Sequence, residues 1–197
     1  MEGGFYAIID PAHCGGRSPV DVAQQVLSGG AAVLQLRMKT GSDRERVQLA
    51  RALRELTRAA RVPFVMNDRA DLALLVDADG LHLGQDDLSI ADARRLLGAR
   101  QLGVSTHDLA QALAAERDGA DLIGFGPVFD TQTKERPDPT VGLATLAEVC
   151  RTVRVPVVAI GGLTPERARE AYRAGATWVA AISAVTGASD VAASARA

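Results

Sequence analysis

The sequence predicts an α/β protein that folds as a single (β/α)8 barrel, a TIM barrel, with residues 1–197 in one domain. Two observations predict this fold. Short apolar runs typical of buried strands recur eight times, and the stretches between them carry helix signals. Alternating strands and helices form a parallel sheet, and eight such units favour a closed barrel over an open doubly wound sheet. The runs are 5–9, 32–36, 63–66, 80–83, 101–104, 121–125, 156–160 and 177–182.

Local signals place helices between these runs in chain order. Ser18-Pro19, after the first run, combines a capping residue with a proline at the first helical position, and Thr164-Pro165 repeats this after the seventh run. Ser42 and Glu45 have capping-box spacing after the second run, and segment 46–60 then has apolar residues spaced for one helix face. Glycine at a helix end adopts the left-handed conformation that leads the chain into the next strand. The glycines in that position are Gly30, Gly119 and Gly175.

Composition and charge exclude several classes of function. A net charge of −2 gives no general attraction to a polyanion, and only 4% of the residues are aromatic, so we expect no nucleic-acid partner. No apolar run approaches the roughly 20 residues that span a bilayer, and the first residues lack a signal-peptide pattern, so we expect no membrane partner. Cys14 and Cys150 belong to no metal-binding motif and predict unpaired thiols in a reducing compartment. We therefore expect a cytoplasmic protein, and the sequence leaves open whether it forms a homo-oligomer.

Polar residues follow the predicted strands, at the end of the barrel where chemistry gathers in this fold. Gln35, Arg37 and Lys39 alternate at period two, so an extended chain would direct all three side chains towards the barrel mouth. A guanidinium and an ammonium that converge there indicate an anionic ligand. The alternative is a solvated strand end that is merely basic.

Two aspartates at neighbouring strand ends are candidate metal ligands. Asp68 follows the third run and Asp87 follows the fourth. Mg²⁺ prefers one or two protein carboxylates, with waters and substrate phosphates completing its octahedral shell. Capping of a following helix or a surface salt bridge is the alternative, and the adjacent Asp86 competes with Asp87 for the assignment.

The last two strand ends carry a pattern typical of phosphate sites in these barrels. Gly161-Gly162 follows the seventh run and Ser183 follows the eighth. Glycines let backbone N–H groups approach a phosphate closely, although a tight β–α turn would also need them. His82 is either a core residue or a ligand contact, and His107 is either a general base or a first-turn helix residue.

The motifs at these strand ends resemble those of the thiamine phosphate synthase family, from Phe5 to about Ser183. The matching segments are LQLRMK (34–39), MNDRADLAL (66–74), DGLHLGQDDL (79–88), GVSTH (103–107), GPVFDTQTK (126–134), AIGGL (159–163) and AIS (181–183). The resemblance implies a transferase that couples a hydroxymethylpyrimidine diphosphate with a thiazole phosphate to give thiamine phosphate and pyrophosphate. It further implies that the pyrimidine diphosphate ionises before the thiazole nitrogen captures the cation.

The resemblance also implies roles for individual residues. Asp68 and Asp87 would be Mg²⁺ ligands, and Gln35 and His82 would face the pyrimidine ring. The pyrophosphate contacts would be Arg37, Lys39, Asn67 and Lys134, with Ser105 nearby. The residues expected to be catalytic are Arg37, Lys39, Lys134 and Ser105. The thiazole phosphate pocket would be formed by Thr131, Thr133, Gly162, Ile182 and Ser183. No protein nucleophile is required.

Two rival functions are weighed against the synthase. A thiazole tautomerase of the same superfamily would use the histidine that aligns with His107, but it would not require the aspartate pair and the QLRxK pattern together. A non-catalytic sensor of a phosphorylated ligand could keep Gly161-Gly162, yet it would have no need for Mg²⁺ ligands opposite basic residues. The retention of both features favours the synthase.

Overall fold

Eight parallel strands close into one barrel in the computed structural model, which describes residues 3–131 and 139–196. Each strand pairs with the next in sequence, and the last pairs with the first. All eight predicted runs are strands, which confirms the (β/α)8 prediction. The strands are β1 (Gly4–Ile9), β2 (Val33–Leu36), β3 (Phe64–Asn67), β4 (Gly80–Leu83), β5 (Gln101–Thr106), β6 (Leu122–Phe125), β7 (Val157–Ile160) and β8 (Trp178–Ala181).

Helices follow the strands and cover the outside of the barrel. They are α1 (Pro19–Ser28), α2 (Asp43–Ala60), α3 (Ala70–Leu75), α4 (Ile90–Leu97), α5 (Leu109–Arg117), α6 (Gly142–Thr152), α7 (Pro165–Arg173), α8 (Ser183–Thr186) and α9 (Val191–Arg196). A short 3-10 helix, Pro11–His13, follows β1. None of the helices in the described ranges has the length and apolar character needed to cross a membrane.

The predicted helix boundaries are confirmed except for one capping contact. Ser42 and Glu45 form a capping box at the start of α2, and the Thr164 side chain accepts a hydrogen bond from the backbone of α7. Pro19 begins α1, but the Ser18 hydroxyl makes no capping bond among the residues that the structure describes. The three glycines at helix ends all have the expected positive φ, at 90°, 100° and 105°.

The core has two layers because side chains alternate between the two faces of each strand. Residues that point outwards pack against the helices and form most of the buried apolar surface. Residues that point inwards fill the barrel and include Tyr6 and Ile8 from β1 and Trp178 and Ala180 from β8.

Both cysteines are free thiols, as predicted; Cys14 is buried and Cys150 is half-buried.

Candidate active site

A cavity of about 560 Å³ opens at the carboxyl ends of the strands. Arg37 reaches it from the end of β2, His107 from β5, Gly161 from β7 and Ile182 from β8. The structure therefore brings together most of the predicted site residues, although they are spread over nearly the whole chain. Those that line the cavity are Gln35, Arg37, Asn67, His82, Ser105, Thr131, Gly162, Ile182 and Ser183. Thr133 and Lys134 lie outside the described residues.

Lys39 lies beside the main cavity rather than in it. Its ammonium pairs with the Asp68 carboxylate in a smaller cavity of about 180 Å³. Strand pairing of β2 ends at Leu36, so the period-two alternation that directs Gln35 and Arg37 into the barrel does not extend to Lys39. Asn67 lines both cavities, and the two spaces therefore adjoin at the end of β3.

The carboxylates of Asp68 and Asp87 lie next to each other across the ends of β3 and β4. Burial raises the pKa of Asp68, the adjacent Lys39 opposes this, and the neighbouring Asp87 carboxyl raises it further. Asp68 has a positive φ of 62°, an uncommon conformation that aspartate tolerates better than most residues. Asp87 accepts a hydrogen bond from the Gly84 backbone at 2.6 Å.

This aspartate pair does not cap a helix, Asp68 forms an ion pair with Lys39, and the two carboxylates fit a magnesium site. Ser89 caps α4, and Arg69 occupies the capping position of α3, so neither aspartate caps the helix that follows it. In the described ranges, no three histidine, cysteine or acidic side chains gather into a cluster that could hold a metal. Two carboxylates, with water and phosphate oxygens added, are the donor set that Mg²⁺ prefers. Asp68 lines the smaller cavity, which adjoins at Asn67 the cavity that Arg37 lines, and Asp87 lies beside Asp68.

His82 crosses the floor of the main cavity because two neighbouring strands carry glycine opposite it. A β-carbon at Gly103 in β5 would lie 2.6 Å from the imidazole, and one at Gly124 in β6 would lie 2.9 Å from it. The His82 Nε2 atom is 2.9 Å from the Ser105 hydroxyl. Gln85, two residues beyond the end of β4, donates to the Ser105 carbonyl at 2.6 Å. The imidazole and the Ser105 hydroxyl thus form one polar unit facing the cavity.

Gln35 and Tyr6 form a second polar unit within the barrel. The Gln35 amide is 2% exposed, and its nitrogen donates to the Tyr6 hydroxyl at 3.1 Å. Burial raises the pKa of Tyr6 and outweighs the opposite effect of the Gln35 hydrogen bond, so the phenol stays protonated at neutral pH. Tyr6 was not singled out in the sequence, although the alternation Tyr6, Ile8 in β1 directs both side chains inwards.

The backbone of Gly161 and Gly162 packs tightly against the loop that follows β6. Both residues have positive φ, at 98° and 63°. A β-carbon at Gly161 would lie 2.5 Å from Pro127, and one at Gly162 would lie 2.4 Å from the Asp130 carbonyl oxygen. These glycines therefore permit a left-handed turn and close contact between two loops.

Arg167 is a cationic residue of this cavity that sequence reasoning missed. It lies in the first turn of α7, stacks 4.7 Å from the Phe129 ring centroid, and donates to the Gly162 carbonyl at 2.7 Å. A cation in the first turn of a helix opposes the helix dipole. That unfavourable position, five residues after Gly162, is the signal that could have identified it.

His107 lines the cavity just before α5, whose capping residue is Asp108. It is therefore not a first-turn helix residue. Its Nδ1 atom lies 2.5 Å from the Gly126 carbonyl oxygen. Because a carbonyl only accepts hydrogen bonds, Nδ1 carries the proton, and the neutral ring has its basic nitrogen at Nε2.

A closed parallel barrel with polar and cationic side chains at the carboxyl ends of its strands defines the class of this protein: it is a (β/α)8-barrel enzyme. A sequence model of the family described as thiamine monophosphate synthase matches residues 5–185. The chain belongs to this family. The match covers all eight strands but not α9.

Individual relatives agree with the family match. The chain is 48% identical to the thiamine-phosphate synthase of Chloroflexus aurantiacus over 98% of this chain and 89% of that protein. It is 47% identical to the one from Moorella thermoacetica over 98% and 92%. Among solved structures, thiamine phosphate pyrophosphorylase from Pyrococcus furiosus is similar with a TM-score of 0.90 and 38% identity, over 98% of this chain and 92% of that one.

More distant structures share only the fold. The (S)-3-O-geranylgeranylglyceryl phosphate synthase from Thermoplasma acidophilum has a TM-score of 0.71 at 17% identity, over 99% of this chain and 91% of that one. A likeness at this identity supports the barrel architecture and carries no functional argument.

Proposed function

We propose that this enzyme couples 4-amino-2-methyl-5-hydroxymethylpyrimidine diphosphate with 4-methyl-5-hydroxyethylthiazole phosphate, giving thiamine phosphate and pyrophosphate. The observation that carries the proposal is the gathering of two anion-directed regions around one cavity. Arg37 and Asn67 lie on one side, where Asn67 also lines the smaller cavity that contains Asp68, and the turn at Gly161-Gly162 with Ser183 forms the other. A substrate with a diphosphate and a partner with a phosphate match that division.

The pyrophosphate region supplies positive charge where the reaction develops negative charge. The bond between the pyrimidine methylene and the diphosphate oxygen breaks, and its electron pair leaves with pyrophosphate. Cationic groups fixed before the reaction stabilise that departing charge without reorganising. We assign this task to the cations Arg37, Lys39 and Lys134, and we assign Asn67 and Ser105 to neutral hydrogen bonds with the same region. A Mg²⁺ ion held by Asp68 and Asp87 would supply further charge neutralisation to the diphosphate oxygens.

The pyrimidine is positioned by polar units that are already fixed in the barrel. Hydrogen bonding to Tyr6 orients the Gln35 amide, and contact with Ser105 orients His82. Both can therefore face the aminopyrimidine ring with little loss of side-chain freedom on binding. The methylene cation left on this ring then accepts the lone pair of the thiazole nitrogen, which forms the new C–N bond.

The thiazole phosphate is held at the ends of β6, β7 and β8. We assign its pocket to Thr131, Thr133, Gly162, Ile182 and Ser183. Backbone N–H groups near Gly162 and Ser183 supply donors, and Arg167 adds a positive charge beside them. Neither chemical step needs a protein nucleophile or a protein base.

Four further statements remain predictions from the sequence. They are the cytoplasmic location, the single-domain assignment of residues 1–197, the lack of nucleic-acid partners and any homo-oligomer.

One assay separates this function from both rivals. The purified chain is incubated with Mg²⁺ and both substrates, and thiamine phosphate and pyrophosphate are quantified together, with each substrate omitted in turn as a control. A synthase forms the two products in equal amounts and only when both substrates are present. A tautomerase would convert a thiazole isomer without releasing pyrophosphate, and a sensor would bind a ligand without turnover. Failure to form thiamine phosphate from both substrates would contradict the proposal.

A further inference from the structure

A buried carboxylate stands at the end of β1, beside the proposed pyrophosphate region. The side chain of Asp10 is only 4% exposed. One of its oxygens accepts a hydrogen bond from the Ala12 backbone at 3.1 Å, which caps the 3-10 helix. The other oxygen faces Arg37 and lies 3.4 Å from Nδ1 of His13. A carboxylate this deeply buried is costly unless it is paired, and here its principal partner is Arg37.

The guanidinium that pairs with Asp10 belongs to Arg37, at the end of the neighbouring strand β2, and it reaches the main cavity. Arg37 follows β2, donates through Nη1 to Asp10, and is 19% exposed. Its backbone N–H also donates to the Ile9 carbonyl at 2.9 Å, which fixes the start of the side chain. The contact with Ile9 thus fixes the Arg37 backbone, and the contact with Asp10 fixes the guanidinium, which still lines the cavity.

The loop that carries Asp10 is itself anchored to α8, which follows β8, the other strand that neighbours β1. The Thr186 hydroxyl in α8 lies 3.0 Å from the His13 carbonyl oxygen and 2.9 Å from the Ile182 carbonyl oxygen, so its one proton is shared between these two acceptors. Arg17 donates to the Thr186 carbonyl at 2.5 Å and to the Cys14 carbonyl at 3.2 Å. These contacts fix residues 10–17 against α8, so Asp10 has little freedom to follow Arg37 if that side chain moves.

We infer that Asp10 is a positioning residue that acts through Arg37, holding the guanidinium in the orientation that meets the departing pyrophosphate. The inference rests on the proposed function, in which Arg37 contacts the diphosphate. A free arginine side chain samples many rotamers, and ordering it costs affinity and rate at each turnover. Asp10 orders the Arg37 side chain before the substrate binds, and it does so without contacting the reacting groups.

Asp10→Asn isolates this role because asparagine keeps the shape and an oxygen for the Ala12 hydrogen bond but removes the charge. Misplacement of a catalytic group by about 1 Å costs on the order of 10²-fold in rate. We expect kcat to fall by about 10- to 100-fold, with the KM for thiazole phosphate nearly unchanged. Asp79→Asn is the matched control, since Asp79 also pairs with an arginine, Arg54, and accepts a backbone hydrogen bond, from Phe64. Asp79 immediately precedes β4, at the other end of the barrel, and its variant should lose thermal stability while keeping kcat.

A double-mutant cycle with Arg37→Gln distinguishes positioning from a structural role. If Asp10 acts through Arg37, Asp10→Asn changes kcat by less than about twofold once Arg37 is replaced. The Kd for inorganic pyrophosphate in the presence of Mg²⁺ is measured by calorimetry on the same set of variants. Asp10→Asn alone should weaken pyrophosphate binding at least about threefold. In the Arg37→Gln background, Asp10→Asn should not change the Kd.

Equal effects of Asp10→Asn in both backgrounds, or an unchanged kcat in the single variant, would overturn the inference. A wild-type chain that does not couple the substrates would contradict the proposed function, and the pyrophosphate cycle would then decide the role of Asp10 alone. Absence of pyrophosphate binding to the wild-type chain would overturn the inference directly.

Discussion

The α-carbon of Gly162 faces the carbonyl oxygen of Asp130 so closely that a β-carbon at Gly162 would lie 2.4 Å from that oxygen. The same β-carbon would lie 2.9 Å from Phe129. The turn after β7 therefore packs directly against the loop after β6, and that loop continues to Thr131. A substituent at Gly162 would be directed into that loop and not towards a phosphate, contrary to what the glycine pattern alone suggests.

Gly162→Ala should impair both halves of the site. The methyl group displaces the loop after β6, so we expect kcat/KM to fall by at least about tenfold for the pyrimidine diphosphate as well as for thiazole phosphate. Steady-state kinetics with each substrate varied in turn measure this. Gly142→Ala is the matched control, because Gly142 also has a positive φ, of 78°, but its β-carbon would contact nothing within 4 Å. A rise confined to the KM of thiazole phosphate would show that the loop contact is unimportant.

Arg167→Ala should act mainly on thiazole phosphate. Arg167 fixes the Gly162 carbonyl and places a positive charge beside the proposed phosphate region. Loss of a hydrogen bond from a charged group costs about 1.5–3 kcal/mol, so we expect the KM for thiazole phosphate to rise at least about tenfold. Arg169→Ala, on the exposed part of the same helix, should leave both KM values unchanged. An equal response of the two arginine variants would remove Arg167 from the site.

His107→Ala should retain most coupling activity. The proposed reaction transfers no proton to or from the protein, and the His107 Nδ1–H is already engaged with the Gly126 carbonyl. Removal of a general base typically lowers the rate by about 10²- to 10⁴-fold, and we expect a smaller loss than this. The rate of thiamine phosphate formation is compared with wild type after circular dichroism has shown the variant to be folded. A folded variant that has lost coupling would mean that the mechanism includes a base.

The fold was predictable because its signals are local in sequence. Apolar runs, the Ser42–Glu45 capping box and the glycines at helix ends each depend on a few adjacent residues, and the structure confirms them. The position of the site was predictable too, because the fold brings all carboxyl ends of the strands to one end. Gln35 in β2 and Arg37, the residue just after β2, reach the cavity as their period-two alternation predicts.

Contacts between distant segments were not predictable from those signals. Lys39 leaves the alternation because strand pairing stops at Leu36, which no local pattern marks. The Asp10–Arg37 pair joins the ends of β1 and β2, and its partners become neighbours only when these two strands pair. The direction in which Gly162 faces depends on its φ and on a loop more than 30 residues earlier, neither of which its sequence neighbours reveal.

The aspartate pair leads to a metal-dependence prediction with an internal control. Asp68→Asn and Asp87→Asn each remove one of the two adjoining carboxylates, so each should lower kcat by about 10²- to 10³-fold and raise the Mg²⁺ concentration needed for half-maximal rate. Asp86→Asn changes the same charge one residue away, on an exposed side chain, and should behave like wild type. If Asp86→Asn were the impaired variant, the ligand assignment would move to that residue.

The most direct test of the account is the rate of pyrophosphate release by the wild-type chain with both substrates, followed as Mg²⁺ is removed by exhaustive chelation and then restored. The account predicts that release stops on chelation, returns in full when Mg²⁺ is added back, and at every stage equals the thiamine phosphate formed. Undiminished release after chelation would contradict the role assigned to Asp68 and Asp87.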